Sequence, residues 1–149
     1  MTFEAAINAL ATKPGSARVG RLAVVERIGR RGEMTPLHQH PEEEIVHVME
    51  GELTLMVDGE RIELRVGDVY AAPHATPHAL VVESKRARYV SATVVRSAAR
   101  YEDFLRAVSV PPEASASAWD DGEDAARLAA LAAPNGIEIL AGPHAVAGR

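Results

Sequence analysis

Apolar and polar residues alternate in short bursts through the middle of the chain. Residues 21–28 (RLAVVERI) are rich in β-branched side chains, which favour extended backbone. LTLMV at 53–57 and RIELRV at 61–66 flank Asp58-Gly59, a dipeptide that tolerates positive φ at a tight turn. Together the three predict a hairpin. Further strand-like runs follow at 68–73 (DVYAAP), 78–83 (HALVVE) and 87–95 (ARYVSATVV), separated by glycine, proline or charge clusters. Short strands with no long helix between them predict an all-β sandwich or barrel over residues 19–96.

The pattern changes on both sides. Residues 1–18 form a mixed lead-in. Phe3, Ile7 and Leu10 have helical spacing, which Pro14-Gly15 ends. A short helix and a strand that pairs with a partner subunit both fit this segment. Beyond Ser97, Tyr101, Phe104, Leu105 and Val108 lie on one helical face, and Pro111-Pro112 stops that helix. After the linker-like PPEASASAW, Asp120 or Asp121 caps a second helix, GEDAARLAALAA, with Leu128, Ala129, Leu131 and Ala132 apolar. Pro134-Asn135-Gly136 ends it, and IEIL predicts a last strand. This tail, residues 97–149, is too short and alanine-rich for its own core and is expected to pack on the barrel.

Bulk composition removes several classes of function. The 149 residues suit one domain, and the chain has no cysteine. Disulfides, thiolate metal sites and thiol nucleophiles are therefore excluded. The net charge is -5, and the densest basic spots, Arg30-Arg31 and Lys85 to Arg88, are shorter than a nucleic-acid or anionic-membrane patch. The first residues lack the basic and long apolar regions of a signal peptide. No apolar run reaches the roughly 18 residues that cross a bilayer. These features predict a cytoplasmic protein with no nucleic-acid or membrane partner.

Candidate chemistry is concentrated in two segments. Between Gly32 and Gly51 the chain reads GEMTPLHQHPEEEIVHVMEG, and GDVYAAPHATPH follows from Gly67. On a strand, residues two apart share a face, so His38 and His40 point the same way, their backbones about 7 Å apart. Two imidazoles so placed can converge on one ion at about 2.1 Å. Glu44 would lie about 13 Å beyond His40 on a straight strand, too far to share that ion. The chain must bend, and Pro41 is placed to break the strand. Glu44 then starts a second strand, EIVHVME, with Val46 and Val48 on its face and Ile45 and His47 on the other. Glu42 and Glu43 fall in the turn, where Glu43 is a rival ligand. His47 is read as a packing or solvent-facing residue and His74 as part of a turn. His144 is read as a solvated tail residue.

These two segments resemble the two sequence motifs of the cupin superfamily. Gly32 through Gly51 fits the first motif at each fixed position. Gly67 through Val82 fits the second, except that Ala75 stands at its second glycine and Val82 at its asparagine. Ala75 implies a turn that tolerates a Cβ. The resemblance spans about residues 19–96 and implies an all-β jelly-roll barrel, the double-stranded β-helix, here with a short C-terminal helical extension. It implies His38, His40, Glu44 and His78 as metal ligands. His78 enters on the resemblance alone, since no short-range rule brings it to the others.

A ligand set of imidazole and carboxylate suits one divalent Fe, Mn, Ni, Co, Cu or Zn ion without choosing among them. Four protein ligands on an octahedral ion leave about two open positions, as a catalytic site requires. The tail is loosely similar to that of small quercetinase-like cupins. The reading that follows is a metal-dependent dioxygenase acting on a small enolisable substrate such as a flavonol or diketone. In it Glu44 is both ligand and general base, and Val46, Val48, Met56 and Tyr70 are candidate lining residues. A non-oxidative metal-dependent isomerase, lyase or cyclase and a non-catalytic ligand-binding module are the alternatives. Many small cupins are homodimers, and the same assembly is expected here.

Overall fold

β-branched and alternating segments become strands wherever a turn signal lets the chain reverse. The computed structural model describes residues 17–19, 22–94 and 123–142. The amphipathic run from Tyr101 to Val108, the linker after it and the first sixteen residues lie outside these. In chain order the strands are β1 (Ala17–Val19), β2 (Leu22–Arg30), β3 (Leu37–Gln39), β4 (Glu44–Glu50) and β5 (Glu52–Val57). They continue with β6 (Glu60–Arg65), β7 (Val69–Ala72), β8 (His78–Val82) and β9 (Arg86–Val94). Helix α1 (Glu123–Ala132), a 3-10 turn (Ala133–Asn135) and β10 (Glu138–Ala141) follow.

The strands form two five-stranded antiparallel sheets, ordered β1-β2-β9-β4-β7 and β10-β3-β8-β5-β6. Their inner faces make the main core. Val46 and Val48 of the first sheet meet Leu53, Leu55, Leu80 and Val82 of the second, together with the buried Tyr89. The all-β expectation is borne out, as is the hairpin: β5 and β6 are joined by Asp58 at φ 49° and Gly59 at φ 82°, the pair of positive angles that matches strand twist.

Met56 departs from expectation. Side chains alternate along a strand, and Leu53, Leu55 and Val57 take the inner face of β5. Met56 belongs instead to a separate cluster with Ala79 and the half-buried Leu37. It does not join the main core, so it does not line the barrel interior.

Gly51 makes the tight reversal between β4 and β5 at φ 79°. A Cβ there would stand 2.3 Å from both the Arg86 carbonyl oxygen and the Ser84 hydroxyl oxygen. The first motif's closing glycine thus lets β9 approach this corner. After α1, Gly136 takes the left-handed conformation that ends the 3-10 turn, and β10 runs back along β3.

Candidate metal centre

Three strands and one bend converge at one end of the barrel. His38 sits in the middle of β3, directly opposite His78 at the first position of β8. His40 lies one residue past the end of β3, where Pro41 breaks the extended chain. Glu44 opens β4 in the other sheet, between Ala72 of β7 and Thr93 of β9. The bend at Pro41 therefore carries the chain from one sheet to the other. His38 and His78 are contributed by one wall and Glu44 by the facing wall.

The loop before β8 is laced onto this bend. The Ala75 backbone N–H donates to the His40 carbonyl at 3.1 Å, and the His74 Nδ1 donates to the Pro41 carbonyl. His74 thus belongs to the turn. Ala75 takes φ 50°. The turn keeps the left-handed geometry expected of a glycine and accommodates the Cβ.

The imidazole orientations follow from one repeated device. Nδ1 of His38 donates to the Pro36 carbonyl at 2.9 Å. Nδ1 of His40 donates to the Glu42 carbonyl at 3.0 Å, and Nδ1 of His78 to the Thr76 carbonyl at 2.8 Å. A carbonyl can only accept, so each ring carries its proton on Nδ1 and turns Nε2 away from its own backbone. The ring centroids lie 4.3 Å apart for His38 and His78, 4.9 Å for His40 and His78, and 5.6 Å for His38 and His40. One nitrogen from each ring falls within 4.8 Å of those of the other two.

Glu44 closes the group from the facing sheet. Its Oε2 lies 3.4 Å from Nε2 of His40 and 3.3 Å from Nε2 of His78. The contact to His78 is out of line for a hydrogen bond. Among the described residues, Nε2 of His78 is the buried side-chain nitrogen or oxygen with no hydrogen-bond partner. A buried nitrogen lone pair without a donor is costly, and a cation at the centre of the group would satisfy it. The other carboxylate oxygen, Oε1, accepts a hydrogen bond from the Ser91 hydroxyl on β9. Ser91 is a residue that sequence reasoning missed. Glu43, the rival ligand, is exposed.

Electrostatics keep this group poised for a cation. Burial, aided by repulsion from His78 and His40, pushes the His38 imidazole down to about 3, so it stays neutral. Burial also acts to raise the Glu44 carboxyl. The close Nε2 contacts and charge of His40 and His78 outweigh it and hold the group well below the usual carboxylate range. Burial lowers the His78 imidazole, but the Glu44 carboxylate prevails and raises it. The donor set of three imidazoles and one ionised carboxylate suits a borderline divalent transition metal.

Residues 25–93 match the family model described as Cupin domain. A 67-residue stretch is 42% identical to quercetin 2,3-dioxygenase from Bacillus subtilis (strain 168), covering 44% of this chain and 20% of that enzyme. The match thus spans a fifth of that relative's length. Among solved structures, KdgF from Halomonas sp. is similar at TM-score 0.52 and 27% identity, over 58% of this chain and 84% of that one. A cupin superfamily protein from Desulfitobacterium hafniense DCB-2 is similar in fold, at TM-score 0.50 and 20% identity, over 53% of this chain and 72% of that one.

Proposed function

We propose, from the premise that residues 25–93 are a cupin domain, that His38, His40, Glu44 and His78 hold one divalent transition-metal ion. In this reading the loaded protein is a metal-dependent dioxygenase acting on a small enolisable molecule of the flavonol or diketone kind. The observation that carries the metal assignment is the shared Nδ1 device. Each imidazole is tied to a backbone carbonyl, so its free nitrogen can face a common point. Outer hydrogen bonds of this kind fix tautomer and ring direction in metal sites. The dioxygenase assignment draws on the 42% identical stretch of quercetin 2,3-dioxygenase.

The bound ion would supply Lewis acidity, lowering the substrate's pKa and polarising its oxygens. The chain's own residues then have separate tasks. Ser91 holds Oε1 of Glu44, which leaves Oε2 to accept the substrate's proton. The carboxylate is held ionised by His40 and His78, which makes it ready but weak as a base. Substrate acidity must therefore come from the ion. Val46 and Val48 are packed in the main core, so among the candidate lining residues the half-buried Tyr70 is the one left to offer apolar surface to a substrate.

The same proposal divides the chain into a lead-in over 1–18, a barrel over 19–96 and a tail over 97–149. It places the protein in the cytoplasm as a homodimer. Among the described residues no helix is long and apolar enough to cross a membrane. Leu22, Ile28, Ile45, Met49 and Val69 are exposed and alternate with the inward residues of their strands, an apolar outer face that favours association. Sedimentation velocity at micromolar concentration tests the dimer, and a monomer would contradict it.

Oxygen uptake tests the reaction. Protein loaded separately with Fe(II), Mn(II), Ni(II) or Co(II) should consume O2 with at least one flavonol or β-diketone, and Glu44→Gln should abolish this. No uptake with any pairing would count against the dioxygenase. Turnover that persists without O2 would point to an isomerase, lyase or cyclase. Tight binding with no conversion would point to a ligand-binding module.

A further inference from the structure

The strand that carries the paired histidines is short and lightly held from the barrel side. β3 has three residues and faces β8 at a single register pair, His38 opposite His78. Upstream, Thr35 is fastened to Leu80 through its backbone N–H and its hydroxyl. Downstream of His38 the barrel provides no further ladder pair, only the Ala75 N–H bond to the His40 carbonyl in the turn. On its other edge, β3 faces β10 at three positions: Gln39 opposite Glu138, His38 opposite Ile139 and Leu37 opposite Ala141.

Side chains reinforce this pairing. Gln39 Nε2 donates to Glu138 Oε2 at 2.5 Å. At the start of the returning chain, a Cβ on Gly136 would lie 3.9 Å from Cδ of Pro41, in ordinary contact with the bend that separates His40 from Glu44. The strand has its own anchor as well. The Ile137 N–H donates to the Ala132 carbonyl at 3.2 Å, and Leu128 and Ala132 of α1 are fully buried.

We infer that β10 is a positioning element of the metal centre: it holds β3 in register, so metal affinity depends on the docking of the C-terminal strand. The inference rests on the metal-site reading above. Coupling of this kind is reciprocal. If docking of β10 favours the ion, binding of the ion must tighten β10.

The experiment uses the full chain and zinc as probe. Glu138→Pro removes the ladder N–H opposite Gln39, deletes the Gln39–Glu138 side-chain bond and introduces a ring where the strands approach. In the metal-free variant, amide hydrogen exchange at residues 37–40 should quicken at least tenfold while β5 and β8 keep their protection. Its zinc Kd should rise by about tenfold or more, the range seen when outer support of a ligand is lost. In the unsubstituted chain, saturating zinc should slow exchange at 138–141. This second measurement needs no variant and stands even if Glu138→Pro fails to fold. An unchanged zinc Kd in a folded variant would overturn the inference, as would unchanged exchange at 138–141 on zinc binding. Failure of the metal-site reading looks different: His40→Ala and the unsubstituted chain would then bind zinc equally. In that event exchange at 37–40 in the metal-free chains still decides whether β10 holds β3.

Discussion

The Ser91 hydroxyl, on β9, donates to Oε1 of Glu44, the residue that opens β4. Ser91 is itself buried and stands opposite Val46, one inward-facing position along from Glu44. The bond sets which carboxylate oxygen faces the imidazoles. Ser91→Ala leaves the part-buried Oε1 without its donor. We expect zinc or cobalt affinity to fall about tenfold, within the range for loss of an outer hydrogen bond. Metal-free stability should fall by about 1–3 kcal/mol. Isothermal titration and urea unfolding check the two, and an unchanged Kd would show that Ser91 does not position the ligand.

The acid limb of stability should trace to His38. Burial, then the neighbouring His78 and His40, lower its pKa from the ordinary 6.5 to about 3. An unfolded chain therefore takes up a proton near pH 6.5 that the folded chain refuses until about pH 3. Stability falls as pH drops through that window, by at most about 5 kcal/mol for a shift of this size. Glu44, with its pKa lowered, adds a loss that begins only below its ordinary 4.5. His78, with its pKa raised, contributes in the opposite sense: its contribution is full below 6.5 and is lost as pH rises through the folded value. His38→Gln should thus flatten the urea midpoint of the metal-free protein between pH 6.5 and about 4, by close to one proton. Parallel profiles for variant and parent would contradict this.

Ala75 tests the turn that fastens the second motif onto the first. At φ 50° a Cβ costs roughly 1–2 kcal/mol. Ala75→Gly relieves that cost but adds freedom to the unfolded chain. The net change should run from neutral to about 1 kcal/mol stabilising. Ala75→Val should destabilise by more than about 1 kcal/mol, since branched side chains tolerate this region poorly. Thermal unfolding of both variants measures the difference, and a stable Val variant would show that the turn adopts another backbone.

Much of the site is legible in local spacing. His38 and His40 sit two apart on the β3 side of the bend, Pro41 breaks the strand, and Glu44 opens the next one with Val46 and Val48 inward. Each of those statements needs only strand alternation and the reach of an extended chain. His78 required the family resemblance, because its place opposite His38 is a matter of sheet register between segments forty residues apart. Ser91 had no local signal, and for β10 the sequence marked a strand but not its partner. A serine in a strand looks like any other, and the pairing of residues 138–141 with 37–39 depends on how the tail returns. Met56 was misplaced for a simpler reason: in LTLMV every position except Thr54 is apolar, so composition hides which face is inward.

The central claim is that His38, His40, Glu44 and His78 form one metal centre, and metal stoichiometry with and without His40 tests it most directly. Purified chain equilibrated with excess Zn(II) or Co(II), desalted and analysed by plasma mass spectrometry should retain about one ion per chain, as four converging side-chain ligands imply. His40→Ala, with its strand content intact by circular dichroism, should retain almost none. Equal metal content in the two proteins, or none in the unsubstituted chain, would contradict the account.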